Sequence, residues 1–140
     1  MLHKIYFGHP MNTYGTPLEA KLLAKIELAF PWLSIENPNQ EQHQEGCRRW
    51  EAETGNPMEY FFEEVLPGCC AGIFLPFRDG KWGAGIFGEA IVLTEQGCPI
   101  WEISPDGVIS LIRDLDGSLE LGIDETLARI KTASGERAPY

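Results

Sequence analysis

The sequence predicts a three-layer α/β/α domain, flavodoxin-like or Rossmann-like, on a mostly parallel five-stranded sheet. Three observations predict it. Short apolar segments alternate along the chain with segments of helical periodicity, the order that right-handed crossovers between parallel strands produce. Residues 71–75 (Ala-Gly-Ile-Phe-Leu) are apolar at every position, as a central strand buried on both faces requires. The 140 residues, 44% hydrophobic and 23% charged, hold enough apolar material for one core without disulfides or a structural metal. Residues 1–140 are therefore expected to form a single domain with a flexible tail over about 134–140.

Residues 4–7 (Lys-Ile-Tyr-Phe) read as a first strand stopped by Gly8-His9-Pro10. After a Gly/Pro-rich loop, Thr16 caps a helix, with Pro17 at its first position and Glu19 completing a Thr-x-x-Glu capping box. Leu18, Leu22, Ile26 and Ala29 recur at helical spacing until Pro31 ends the run. Residues 32–36 give a second strand, ending at Asn37-Pro38. The polar stretch that follows predicts a long connection over 39–57 with a short helix around 47–53. Residues 58–66 read as a helix stopped by Pro67-Gly68, and 71–75 as the third strand. Gly83-Ala84-Gly85 leads into a helix over 86–95 that ends at Gly97. Residues 98–103 and 108–112 are the fourth and fifth strands, and 123–133 a last helix capped by Asp124. Residues 134–140 show no packing pattern.

The charge balance of 11 Lys and Arg against 21 Asp and Glu, net −10, argues against nucleic-acid partners. Such a chain has no excess of cations to displace condensed counterions. It equally disfavours anionic membrane surfaces. No segment approaches the roughly 20 apolar residues that span a bilayer. The start of the chain has no signal-peptide character, and four cysteines without a CxxC spacing fit a reduced, cytoplasmic protein. No cofactor or metal is expected. His43 and Cys47, at i and i+4, are two ligand types where a site needs more.

Open parallel sheets take ligands beyond the carboxyl ends of their strands. The loops expected there gather His9, Pro10, Tyr14, Asn37, Asn39, Arg78, Asp79, Lys81, Trp82, Gly83 and Gly85, with Glu89 in the following helix. The glycines would let a substrate approach the backbone, and the helix N-terminus would lower the pKa of Glu89. A fixed, ionised carboxylate there can attack an electrophilic carbon. A first-turn Glu facing water is the alternative. Trp82, in a Gly-flanked loop, reads as a base-stacking or lid residue outside the core.

Residues 4–10 (Lys-Ile-Tyr-Phe-Gly-His-Pro) with Glu19 downstream resemble the start of the nucleoside 2-deoxyribosyltransferase-like superfamily. So do residues 74–80 (Phe-Leu-Pro-Phe-Arg-Asp-Gly), running into Gly83-Ala84-Gly85, Glu89-Ala90 and Gly97-Cys98-Pro99-Ile100. That superfamily includes deoxyribosyltransferases and nucleotide N-glycoside hydrolases, and the resemblance covers about residues 3–103. It implies Glu89 as the nucleophile on the anomeric carbon, Asp79 contacting base or sugar, and Tyr6 orienting the nucleophile. Substrate contacts are expected from the loops at the sheet edge, at His9, Pro10, Asn37, Arg78, Lys81, Trp82, Gly83 and Gly85; His9 stands where the superfamily commonly has a small residue, and Lys81 and Trp82 where its nucleotide-binding members tend to have a Ser. The resemblance also implies a nucleoside or nucleotide as the small-molecule partner, and a homo-oligomer with shared active sites. The expected function is cleavage or transfer of an N-glycosidic bond; the alternative is a non-catalytic nucleotide-binding or sensing module using the same pocket.

Overall fold

The computed structural model describes residues 2–140. Its elements are β1 (Lys4–Gly8), α1 (Pro17–Ala29), β2 (Ser34–Glu36), α2 (Glu41–Thr54), β3 (Ala71–Phe74), α3 (Ala84–Glu95), β4 (Ile100–Ile103), β5 (Ile109–Ile112) and α4 (Ile123–Ile130). The strands form one five-stranded sheet in the order β2-β1-β3-β4-β5. The β1–β2, β1–β3 and β3–β4 pairs are parallel; β5 turns back antiparallel to β4. The chain leaves β1 toward β2 on one side and returns to β3 on the other, so the topological switch point lies between β1 and β3.

Alternation along the central strands sorts the core into two layers. Ile5, Phe7, Ile73 and Leu75 meet Leu22 and Ile26 of α1, and Phe30 just after it, on one face. Tyr6, Phe74 and Ile100 meet Phe87, Ala90 and Leu93 of α3, with Phe61, Val65 and Leu66, on the other. This is the expected α/β class.

Four local expectations are corrected. The 39–57 connection is mostly one 14-residue helix, α2. Its inward stripe is His43, Gly46, Cys47 and Trp50, which carries no aliphatic periodicity, so the helix signal was weak; Gly55, at φ +78°, ends it. The 58–66 segment is not a regular helix but a π turn over Phe61–Val65 followed by a 3-10 turn over Leu66–Gly68. Pro67 has no N–H for a carbonyl four residues back, and its ring crowds that carbonyl. Helix α4 starts after Gly122, whose N–H donates to Glu125 Oε1, so Asp124 lies inside the helix and is not its cap. The helix stops at Ile130 because the chain reverses through Gly135, at φ +84°, and Ala138 N–H returns to the Ile130 carbonyl. Residues 134–140 run back along the domain, with Tyr140 Oη donating to the Pro76 carbonyl at 2.6 Å.

Candidate active site

Glu89 is the sixth residue of α3 and lies on the helix face that carries Ile86, Phe87, Ala90 and Leu93 into the core. Directly across, Tyr6 points from the middle of β1 into the same layer, and its hydroxyl donates to Glu89 Oε2. Both side chains are buried. Burial pushes the Glu89 carboxyl up to about 8, against a downward pull from the Tyr6 hydrogen bond. This corrects the expectation of a lowered pKa. The helix dipole acts within the first turn, which Glu89 has passed, and loss of hydration decides the outcome. Burial, then the Glu89 charge, likewise holds the Tyr6 hydroxyl well above the ordinary phenol range.

The helix approach is also filled. A Cβ on Gly85 would stand 3.3 Å from Met58 Cε, and one on Gly88 3.3 Å from Phe62 Cζ. The space expected for a substrate over the glycines thus holds the protein's own 58–62 segment. Gly83 packs on α4, where a Cβ would come 3.1 Å from Thr126 Cγ2; Thr126 Oγ1 accepts the Ala84 N–H at 2.9 Å.

A second polar cluster adjoins this pair from the loop after β1. His9 stacks on Phe7 with ring centroids 4.0 Å apart, its Nδ1 2.9 Å from the Phe7 carbonyl and its Nε2 2.8 Å from Glu19 Oε2. Glu19 also accepts from Gly15 N–H at 3.0 Å and from Asn39 Nδ2 at 3.0 and 3.1 Å. Burial raises the Glu19 carboxyl, but the bonds from His9, Gly15 and Asn39 outweigh it and hold the pKa below the usual value. Asn37 positions Asn39, its Oδ1 accepting the Asn39 N–H at 2.9 Å. Pro10 is buried, and its carbonyl accepts from Thr13. Tyr14 joins the two clusters: burial first, then the charges of Glu89 and Glu19, raise its hydroxyl pKa. Cys47 of α2 also feels Glu89 and is pushed up to about 11, burial contributing most. The sequence assigns Glu19 a capping role and a place in the resemblance but no site role; Tyr14 and Asn39 on loops adjoining the first turn of α1 are the available signal.

The remaining candidates are held elsewhere. Asp79 makes a two-bond ion pair with Arg129 of α4, both bonds 2.8 Å, and Arg129 draws its pKa down to about 2. Among the described residues, no hydrogen bond or ion pair joins it to Glu89. Arg78 is exposed and lies over the Tyr140 ring. Lys81 Nζ donates to the Ser118 carbonyl at 3.4 Å. Trp82 is a correction: it is 3% exposed, packed on Phe74 and Phe87, with its backbone bonded to Leu119 and Leu121. The C-terminal segment supplies the cover that makes this loop residue a core residue. His43, considered for metal, is buried between Tyr60 Oη at 2.7 Å and Glu36 Oε2 at 3.3 Å.

Glu89 is in the wall of neither of two surface clefts among the described residues. One, of about 370 Å³, lies between the loop after β1, the start of α1, Arg78 and residues 137–140. The other, of about 200 Å³, lies between Trp82, Phe87, β5 and the 114–119 segment. Among the described residues no three His, Cys, Asp or Glu side chains converge as a metal site, and no helix is long and apolar enough to cross a membrane. Comparison with models of known protein families, with curated proteins and with solved structures returns no match.

Proposed function

We propose that the protein cleaves or transfers the N-glycosidic bond of a nucleoside or nucleotide, with Glu89 as nucleophile and Tyr6 as its positioning residue. The observation that carries this reading is the Tyr6–Glu89 hydrogen bond, which joins residues 83 apart in sequence beside the switch point. Tyr6 holds Oε2 and leaves Oε1 to form a bond to C1′. The C1′–N bond breaks as that bond forms, its electron pair departs with the base, and the base takes up a proton. Water or a second base then attacks C1′ and releases the carboxylate. Tyr14, in the field of both Glu89 and Glu19, is the proposed proton donor to the departing base.

Attack needs the ionised carboxyl, and the resting Glu89, with its pKa near 8, is mostly protonated at pH 7. Activity in this reading rises with pH through the upper neutral range, and substrate entry displaces the segment that carries Met58 and Phe62. The resemblance to the nucleoside 2-deoxyribosyltransferase-like superfamily supports a homo-oligomer whose subunits complete one another's pockets, and four cysteines without a CxxC spacing support a cytoplasmic protein. The closed cover over Glu89 favours one second reading, a non-catalytic nucleotide-binding module.

The test is incubation with each deoxynucleoside and its 5′-monophosphate, with and without a second free base, followed by chromatography. Base release or exchange that disappears in Glu89→Gln supports the enzyme. Saturable binding of the intact nucleotide without turnover supports the binding module, and full activity in Glu89→Gln rejects the mechanism.

A further inference from the structure

The segment that covers the Tyr6–Glu89 pair keeps its backbone hydrogen bonds to itself. Tyr60 N–H donates to the Pro57 carbonyl at 3.3 Å, and the N–H groups of Phe61 and Phe62 donate to the Met58 carbonyl at 3.1 and 3.4 Å. Met58 N–H donates to Asn56 Oδ1 at 3.1 Å. Lifting the segment off the domain breaks none of these bonds. At its start stands Gly55, at φ +78°, a residue free to take other backbone angles. At its end the chain enters the π turn of Phe61–Val65, a rare geometry met mostly at functional sites.

Side chains hold the segment down. Phe61 meets the Tyr6 ring edge-on, with centroids 6.2 Å apart. Met58 lies against Gly85 and Phe62 against Gly88, four residues and one residue before Glu89 on α3. Tyr60 lies on α2, where Gly46 leaves room for its ring and a Cβ would collide with it. Among the described residues, one hydrogen bond ties 57–62 to α2, α3 or the sheet: Tyr60 Oη to His43 Nδ1, at 2.7 Å. His43 is held from behind, its Nε2 3.3 Å from Glu36 Oε2 at the end of β2. Glu36 is fixed in turn by Gln40 Nε2 at 3.1 Å and Lys4 Nζ at 3.6 Å. A carboxylate only accepts, so in the neutral ring Nε2 donates to Glu36 and Nδ1 accepts the Tyr60 O–H.

We propose that residues 56–62 are a lid over Glu89, latched by the Tyr60–His43 hydrogen bond, and that the substrate enters when this latch releases. One movement lifts Phe61 off Tyr6 and Met58 and Phe62 off α3, which uncovers both members of the pair. The lid rests on the Glu89 reading only for what enters, a nucleoside or nucleotide. Apparent affinity scales with the open fraction, so the latch sets it.

The test is hydrogen exchange by NMR on the full chain, paired with carbodiimide–glycinamide labelling of Glu89 read by mass spectrometry. Neither measurement needs turnover, so the base-release assay judges the Glu89 reading separately. The Phe61 and Phe62 amides should exchange faster than Gly72 of β3, whose N–H donates to the Pro99 carbonyl. Low urea should speed Gly72 and leave Phe61, Phe62 and the labelling of Glu89 nearly unchanged, because a local opening exposes little surface. Tyr60→Phe keeps the ring and removes the latch; Glu89 labelling should rise about three- to tenfold, the net weight of one hydrogen bond. Ile26→Val, in the core layer on the other face of the sheet, should speed Gly72 alone, since it weakens the closed and open forms equally. Glu89 labelling that follows Gly72 in urea, or that rises in Ile26→Val, overturns the lid. Labelling unchanged in Tyr60→Phe overturns the latch.

Discussion

Replacing Glu89 by Gln should stabilise this protein, and increasingly so as pH rises. In the folded chain the Glu89 carboxyl has its pKa near 8 against an ordinary value of 4.5, because burial strips its hydration. The folded pKa lies above the unfolded one, so from pH 4.5 upward the unfolded chain gives up this proton while the folded chain keeps it. Stability contributed by the group therefore falls as pH rises through that window and levels off above about 8. At about 1.4 kcal/mol per pKa unit, the loss is on the order of 3 kcal/mol at pH 7 and somewhat more at pH 8. Gln is nearly isosteric, still accepts the Tyr6 hydroxyl through its carbonyl, and has no proton to lose. Urea denaturation of wild type and Glu89→Gln at pH 5, 6, 7 and 8 measures the difference. It should be small at pH 5 and grow to a few kcal/mol in favour of the variant at pH 8. A pH-independent difference, or a wild type more stable than Glu89→Gln at pH 8, would refute the reasoning, for it would mean that Glu89 ionises in the fold as it does in water.

Tyr6→Phe removes the hydrogen bond that pulls the Glu89 pKa down, so the carboxyl should titrate still higher, as a ¹³C-detected titration would show, at a cost of about 1–3 kcal/mol for the orphaned oxygen. Gly46→Ala places a methyl 2.2 Å from Tyr60 Cε1, against a ring tied to His43, and should lower stability by about 1–3 kcal/mol in thermal unfolding. Asp79 titrates near 2, below its ordinary 3.8, so its pairing with Arg129 contributes above pH 3.8 and fades as pH falls through about 2. Because the pair is largely exposed, Asp79→Asn should cost only about 0.2–1 kcal/mol at pH 7, and less as pH falls toward 2.

The strand and helix order was readable because each element leaves a local mark. The Thr16-Pro17 start of α1 appears as expected, with Thr16 Oγ accepting the Glu19 N–H. The apolar run of 71–75 became the strand at the centre of the sheet. Helix α2 escaped because its buried face is made of His, Gly, Cys and Trp, and its packing on Tyr60 has no periodic aliphatic signature. Trp82 was misread for a related reason. Glycines on either side describe the local backbone, while the ring packs on Phe74 and Phe87 and the backbone pairs with Leu119 and Leu121, almost forty residues downstream.

The sequence by itself determined the fold class and the order of most strands and helices. Hydrophobic period, caps and breakers act over a few residues, so a one-dimensional reading captures them. Only the tertiary structure decided that Tyr6 donates to Glu89, that burial raises the Glu89 carboxyl, and that Asp79 belongs to Arg129. Those outcomes depend on water exclusion and on the distance between residues tens of positions apart. Neither quantity is present in the chain until it has folded.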